Sequence, residues 1–564
     1  MPTDARLRMD EAKQVENKSA ATQSAASRTG ARRWAWLRLS HQHTAFSATL
    51  LLMASTFLSR IIGLAREKII AYFFGAGSQT DAYRAAFQLP EMITYLLVGG
   101  VASITIITLL SHYREQGKEA EGEEALSVIL STMLLILGAA ILLAEIFASS
   151  YTRIFFPGFD AEKAALCTRM TRILLPGQLF FFAGGILAAV QMVRKQFTYQ
   201  AIAPLLYNVG IIAGAVLLAR YCGVSSLAIG ALVGATAGWF LLNAIGAYRV
   251  GMRFRFHLDL SHPGLREWLR LSIPLMIGVS LVTVDTWILS YFASHGRGDI
   301  ARLGYAKRLF STPMAILGQA AGAASLPFFA SLAGKGRMKE FAASVNRSVT
   351  RIFAFAFLLS AWMIALARPA VDLILRGGDF HSSDATATAL YFAIFAGSLC
   401  MWAAQAIYAR AFYAAGNTLT PMVASTLIAA ISIPFYGWMF HRMGVVGLAL
   451  ASDIGITVQT VVLALLLNAR GLVEARGLEF SELGRALLAA VTSGAGIFFL
   501  ARWLPAAETY RADLLLLTCG SAAWFLLCWG VLRATGSTLP QQLIARLRGR
   551  AGNGVAGRSA EEIA

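Results

Sequence analysis

Residues 59–90 read SRIIGLAREKIIAYFFGAGSQTDAYRAAFQLP, apolar helical sequence in which Arg60, Arg66, Glu67, Lys68, Asp81 and Arg84 are embedded. A lipid-facing arginine at the centre of a spanning helix costs about 3 kcal/mol on the mildest insertion scale. Such side chains must therefore face a watery cavity, a partner or an anionic ligand. Arg60 and Arg66 lie about 600° apart around a helix at 100° per residue, which puts them on adjoining faces roughly 120° apart. One arrangement has both lining a cavity, with Glu67 or Asp81 neutralising part of the field. In the other, Arg66, Glu67 and Lys68 snorkel to an interface or tie the first two helices together by ion pairs.

The rest of the chain places this stretch in a membrane. Of 564 residues 57% are hydrophobic and 14% charged, with a mean hydropathy of +0.60, against roughly 25% charged in an ordinary soluble domain. The fold class is all-α and polytopic. A span needs about 20 apolar residues, which gives about 14 helices. Their approximate limits are 46–74, 80–111, 124–148, 165–193, 201–220, 225–248, 267–293, 301–332, 346–367, 386–413, 419–440, 444–468, 481–503 and 511–533.

The net charge of +18 falls mostly between spans and in the tails, where it sets topology and contacts anionic membrane lipids; no nucleic-acid partner is expected. With both termini cytoplasmic, Lys and Arg concentrate on the cytoplasmic side, most heavily in loops 249–270 and 334–351. Residues 1–45 are polar and basic without an apolar core, which reads as a disordered cytoplasmic extension; 536–564 reads as a cytoplasmic tail. The five cysteines, Cys167, Cys222, Cys400, Cys519 and Cys528, lie in or beside spans without metal-ligand spacing and read as small buried hydrophobes.

An internal repeat recurs at an offset of about 220 residues, suited to two transporter halves related by an axis along the membrane normal. GVSSLA (223–228) returns as GVVGLA (444–449), and FQLPEMITYLLVGGVAS (87–103) matches FSTPMAILGQAAGAAS (310–325) through Phe, Pro, a Gly and a terminal Ala-Ser. The halves are then 46–250 and 251–470, with the last two helices, 471–535, as an appendage. In the second half Lys307 and Arg308 take the place that Ala82 to Arg84 occupy in the first. Two basic sites would converge on a central cleft suited to a phosphate or diphosphate, because a guanidinium makes paired charge-assisted hydrogen bonds and stays charged when desolvated. The alternative places Lys307 and Arg308 at the outer interface.

No GxSxG, HExxH, Walker sequence or Asp-rich metal pair is present, and GAGSQT (75–80) reads as a tight turn rather than a phosphate loop. No enzyme, cofactor or metal is expected. Asp285 and Asp453 stand alone in their helices; each either binds a coupling cation, sodium or a proton, or pairs with a basic residue of the cleft. Glu145 and Arg172 lie near helix ends and read as interfacial.

The 59–90 stretch, with its SR-x-x-G-x-x-R, F-G-A-G, T-D-A and L-P elements, together with GYAKRLFSTPMAILGQAAGAASLP (304–327), resembles the lipid II flippase family, MurJ or MviN. That family belongs to the multidrug/oligosaccharidyl-lipid/polysaccharide exporter superfamily, and the resemblance covers about residues 46 to 535. It implies two six-helix bundles opening as a V and two carboxyl-terminal helices forming a groove for a lipid tail. It also implies cavity cations at Arg60, Arg66 and Arg308, and the family's acidic residue at Asp81. The substrate implied is lipid II, turned outward across the bacterial inner membrane by alternating access driven by membrane potential or ions, in service of cell-wall synthesis and its enzymes. The chain departs from the family after Leu-Pro, where Asn, an arginine pair and Phe-Ala-Glu-Gly are usual. Here residues 91–100 read EMITYLLVGG, with Thr94 and Tyr95 at the arginine positions, and Ser311 replaces an acid in helix 8. The readings in competition with lipid II are another polyprenyl-diphosphate-linked glycan of O-antigen or capsule type, a drug-cation antiporter, and a non-transporting scaffold for cell-wall enzymes. The basic cleft argues against the antiporter.

Overall fold

The computed structural model describes residues 45–97, 102–276, 281–474, 477–503, 509–541 and 544. Of the predicted tails, 1–44, 542, 543 and 545–564 lie outside the described residues, as do 98–101, which include Gly99 at the position of the family's glutamate. Apart from a bridge between Gly377 and Phe380, the described chain is helices and turns.

In the first half, α1 (Ala45–Phe74) leads through a tight turn to α2 (Ser78–Ala86), α3 (Gln88–Leu97) and α4 (Ala102–Glu115). Then follow α5 (Glu119–Phe155), α6 (Ala161–Leu174), α7 (Gly177–Val193), α8 (Thr198–Cys222), α9 (Ser225–Gly234) and α10 (Leu242–Arg249), the last two joined by a π-helical stretch, Ala235–Leu241. The second half comprises α11 (Pro263–Met276), α12 (Leu281–Ala293), α13 (Asp299–Met314), a π-helical Ala315–Ala320 and α14 (Ala321–Gly334). It continues with α15 (Met338–Ala365), α16 (Ala367–Leu375), α17 (Ser382–Gly397), α18 (Leu399–Ala414) and α19 (Leu419–Ala469). Helices α20 (Phe480–Trp503) and α21 (Tyr510–Ala534) close the described chain.

Every apolar stretch read from the sequence contains helix, yet the count of 14 spans is not reproduced. Nine helices of the described residues are long and apolar enough to cross a membrane, ten if the pair α17 and α18, bent by 45°, is one span. The difference has identifiable causes. Spans 80–111 and 267–293 each include residues outside the described ones, and Pro313 and a π-helical stretch, Ala315–Ala320, lie within span 301–332. Spans 419–440 and 444–468 are continuous in α19 except at Gly444, whose φ of 60° and ψ of −141° separate two helices.

That glycine also supports the repeat. Gly223, its counterpart between α8 and α9, has φ 54° and ψ −142°, so the two GV-x-x-LA segments fold into the same turn. Helices α8 and α9 approach closely because glycines face each other: a Cβ on Gly214 would stand 2.4 Å from the Ser226 carbonyl oxygen, and one on Gly230 2.5 Å from that of Gly210.

The halves are locked together at one end, the end carrying the turn after α1. There Asp379 donates its backbone N–H to the Tyr72 carbonyl at 3.0 Å, the Tyr305 hydroxyl donates to the Gly75 carbonyl at 3.1 Å, and Lys68 donates to the Arg376 carbonyl at 2.5 Å. Gly298, at φ 81°, leaves no space for a side chain, since a Cβ would lie 2.0 Å from the Ala76 carbonyl oxygen. Toward the other end, Leu265 and Trp268 of α11 are buried among first-half residues such as Leu126 and Ile129. Cys167, Cys400 and Cys528 are buried as expected; Cys222 and Cys519 are exposed on the helical surface instead. Glu145 and Arg172 pair at 3.8 Å.

Candidate functional site

Between the halves lies a cavity of about 510 Å³ whose wall includes Arg66, Arg84, Lys307 and Arg308 with two carboxylates, Glu67 and Glu91. The two basic segments read from the sequence therefore converge, and Lys307 and Arg308 face the cavity rather than an interface. Helices α1 and α2 supply the first-half charges, and α13 supplies the second-half pair.

Glu67 organises the arginines. It is 3% exposed and pairs with Arg66 at 2.8 Å, Arg84 at 2.7 Å and, more loosely, Arg308 at 3.9 Å. Of the sequence alternatives for neutralising the field, Glu67 is the residue that does so. A single buried carboxylate shared by three guanidiniums leaves a surplus of positive charge, and a buried charge is tolerated only when paired or offered to a ligand. Arg66 is fixed further by the Asn208 side-chain oxygen at 2.9 Å. Arg84 stacks on the Tyr305 ring at 4.2 Å and occupies the space left by Gly304, where a Cβ would sit 2.8 Å from its Cδ. The side chain of Arg308 is 48% exposed, against 13% and 17% for Arg66 and Arg84, and is the guanidinium most available to a ligand.

Two expected site residues lie elsewhere. Asp81 is fully buried and absent from the cavity wall. Its carboxylate accepts from Lys163 at 2.7 Å and from the backbone N–H groups of Gly298 and Ala301 at 2.7 and 2.8 Å. Those are the orphan donors at the start of α13, so Asp81 caps a second-half helix from the first half. Arg60 is half-buried and outside the cavity wall, although its charge reaches Arg308. Lys163 and Asn208 were not singled out from the sequence; a lone lysine near a helix start and an asparagine in an apolar helix carry no local signal of such distant partners.

Lys307 is charge-balanced. It forms an ion pair with Asp285, which also accepts the Tyr436 hydroxyl. Of the two roles open to Asp285, pairing with a basic residue of the cleft is the one observed. Asp453 accepts from the Ser398 hydroxyl at 2.6 Å and lies within electrostatic range of Lys307. Among the described residues no cluster of His, Cys, Asp or Glu could hold a metal ion.

A second chamber of about 340 Å³ adjoins the first through Phe87, Glu91 and Tyr207. Its remaining wall includes Thr94, Tyr95, Gln178 and Phe181 and no cation, and the Thr94 hydroxyl donates to the Gln178 side-chain oxygen. Tyr95 meets Trp287 of α12 edge-on, with centroids 6.2 Å apart, bridging the halves. A third, apolar groove of about 240 Å³ runs between α15 and α21, lined by Phe355, Leu358, Leu359, Trp524, Phe525 and Trp529 among others.

Comparison with known proteins gives this geometry a context. The family model described as "Lipid II flippase MurJ" matches residues 70–512. The chain is 28% identical over 441 residues to the lipid II flippase MurJ of Burkholderia cenocepacia, covering 76% of this chain and 84% of the relative. It is also 28% identical over 461 residues to a probable lipid II flippase MurJ of Bdellovibrio bacteriovorus, covering 79% and 86%. Among solved structures, a lipid II flippase MurJ in an inward closed conformation superposes with a TM-score of 0.72 at 21% identity, covering 86% of this chain and 99% of that one. An inward-facing multidrug transporter of the MATE family superposes at 0.60 with 14% identity, covering 75% and 98%.

Proposed function

The chain belongs to the lipid II flippase MurJ family, and from that premise we propose that it moves lipid II from the cytoplasmic to the outer leaflet of a bacterial inner membrane. The observation that carries this reading is the arginine cluster around Glu67, set in a cavity between two halves that are joined at one end. A diphosphate supplies the anionic charge the cluster lacks, and Arg308 and Arg84 present the forked donors that fit its oxygens. With both termini cytoplasmic, the joined end faces outward and the cavity takes its headgroup from the inside.

Alternating access then requires the outer contacts at Asp81, Gly75 and Gly298 to part while the inner ends close. The apolar groove of α15 and α21 would hold part of the prenyl tail, so that only the polar headgroup crosses the protein interior. Because Lys307 already serves Asp285 as its cation, Asp453 is, of these two acids, the one left for a coupling proton or sodium ion. The membrane potential is the other candidate driving force.

R84A and R308A are each expected to abolish complementation of a flippase-depleted bacterium while protein levels stay normal. Full rescue by both would remove the cluster from the transport path. One observation favours a second cargo: the chamber beyond Glu91 carries Thr94 and Tyr95 and no cations, which would suit a different polyprenyl-diphosphate-linked glycan. Flipping assays with lipid II and with an O-antigen-type lipid separate the two.

A further inference from the structure

Glu91 is a carboxylate in a cavity otherwise built for anions. It stands at the junction of the two chambers and lines both, its residue is exposed, no ion pair or hydrogen bond holds its carboxylate among the described residues, and Arg308 lies within electrostatic range of it. Glu67, the other acid of the wall, is consumed by three arginines. Among the described residues Glu91 is the one charged group in the wall of the chamber beyond it, and four of that chamber's walls are the aromatic rings of Phe87, Tyr95, Phe181 and Tyr207. A carboxylate beside aromatic faces is the chemistry that recognises an ammonium, through direct charge pairing and cation–π attraction. It would repel a second phosphate.

We propose that Glu91 selects a cargo whose headgroup bears a free ammonium, seated in the aromatic chamber while the diphosphate lies on Arg84 and Arg308. This rests on the flippase reading above and adds a specificity determinant to it. The two chambers share Phe87, Glu91 and Tyr207 in their walls, so one elongated headgroup that spans these side chains presents its anionic end to one and its cationic end to the other. The rival account is local: Glu91 lies in the first turn of α3, where an acid favours the helix dipole.

The test is equilibrium binding of two lipids to purified full-length protein: lipid II with the free amine of its stem peptide, and the same lipid with that amine acetylated. Wild type should prefer the free amine by about tenfold, E91Q should lose the preference while binding the acetylated lipid as wild type does, and E91D should retain it. Equal loss of both lipids in E91Q, or a wild type that binds both alike, overturns the proposal and leaves the flippase reading intact. If wild type binds neither lipid better than undecaprenyl phosphate, the flippase reading falls and this proposal falls with it. Thermal unfolding of each variant separates a helix-stability effect, which would shift both affinities together.

Discussion

Glu67 and Asp81 are both buried carboxylates next to basic residues, yet they do opposite things. Asp81 is fully used: one lysine and two backbone N–H groups take up its oxygens, and it fastens α13 to the first half. Glu67 is overdrawn, with three guanidiniums around one acid. A satisfied carboxylate makes a joint; an outnumbered one makes a field that a ligand can complete. The same sequence stretch thus supplies both a fastening and part of the cavity wall.

The comparison breaks most severely at Asp81. D81A leaves Lys163 buried without its acid and should lower stability by about 3–5 kcal/mol, seen as a fall in thermal unfolding temperature that lipid II does not repair. E67Q is expected to cost about 3 kcal/mol, but here the ligand should restore a large part, because its phosphates take the place of the lost charge. Equal rescue of both variants, or of neither, would erase the distinction between joint and field. A smaller effect is expected from G304A, whose methyl group displaces Arg84; lipid II affinity should fall about tenfold, or 1.4 kcal/mol, with little change in unfolding temperature. R60A should act least, about threefold on affinity, since Arg60 stands outside the chamber wall and acts only through its charge.

Much of this was legible in the sequence, for physical reasons. Long apolar runs and charged loops announced a polytopic bundle, and the cost of burying Arg66, Arg84, Lys307 and Arg308 in apolar helices implied a shared polar space. The paired GV-x-x-LA segments announced a repeated turn, and Gly223 and Gly444 have matching conformations there. What stayed hidden depends on contacts between distant residues. Nothing local to Asp81 reveals that it caps α13 or meets Lys163, so it read as a cavity residue. Asp285 looked solitary because Lys307 and Tyr436 reach it from other helices. The span count falls partly because 419–440 and 444–468 run together in α19, where apolar composition gives no sign that Gly444 alone separates them.

In the proposed function the surplus charge around Glu67 holds a lipid-linked diphosphate. The most direct measurement is the affinity of purified wild type and of the double variant R84A/R308A for lipid II and for undecaprenyl phosphate. Wild type is expected to bind lipid II at least tenfold more tightly than the monophosphate lipid, and the double variant to lose this difference while remaining folded. Undiminished discrimination in the double variant would contradict it.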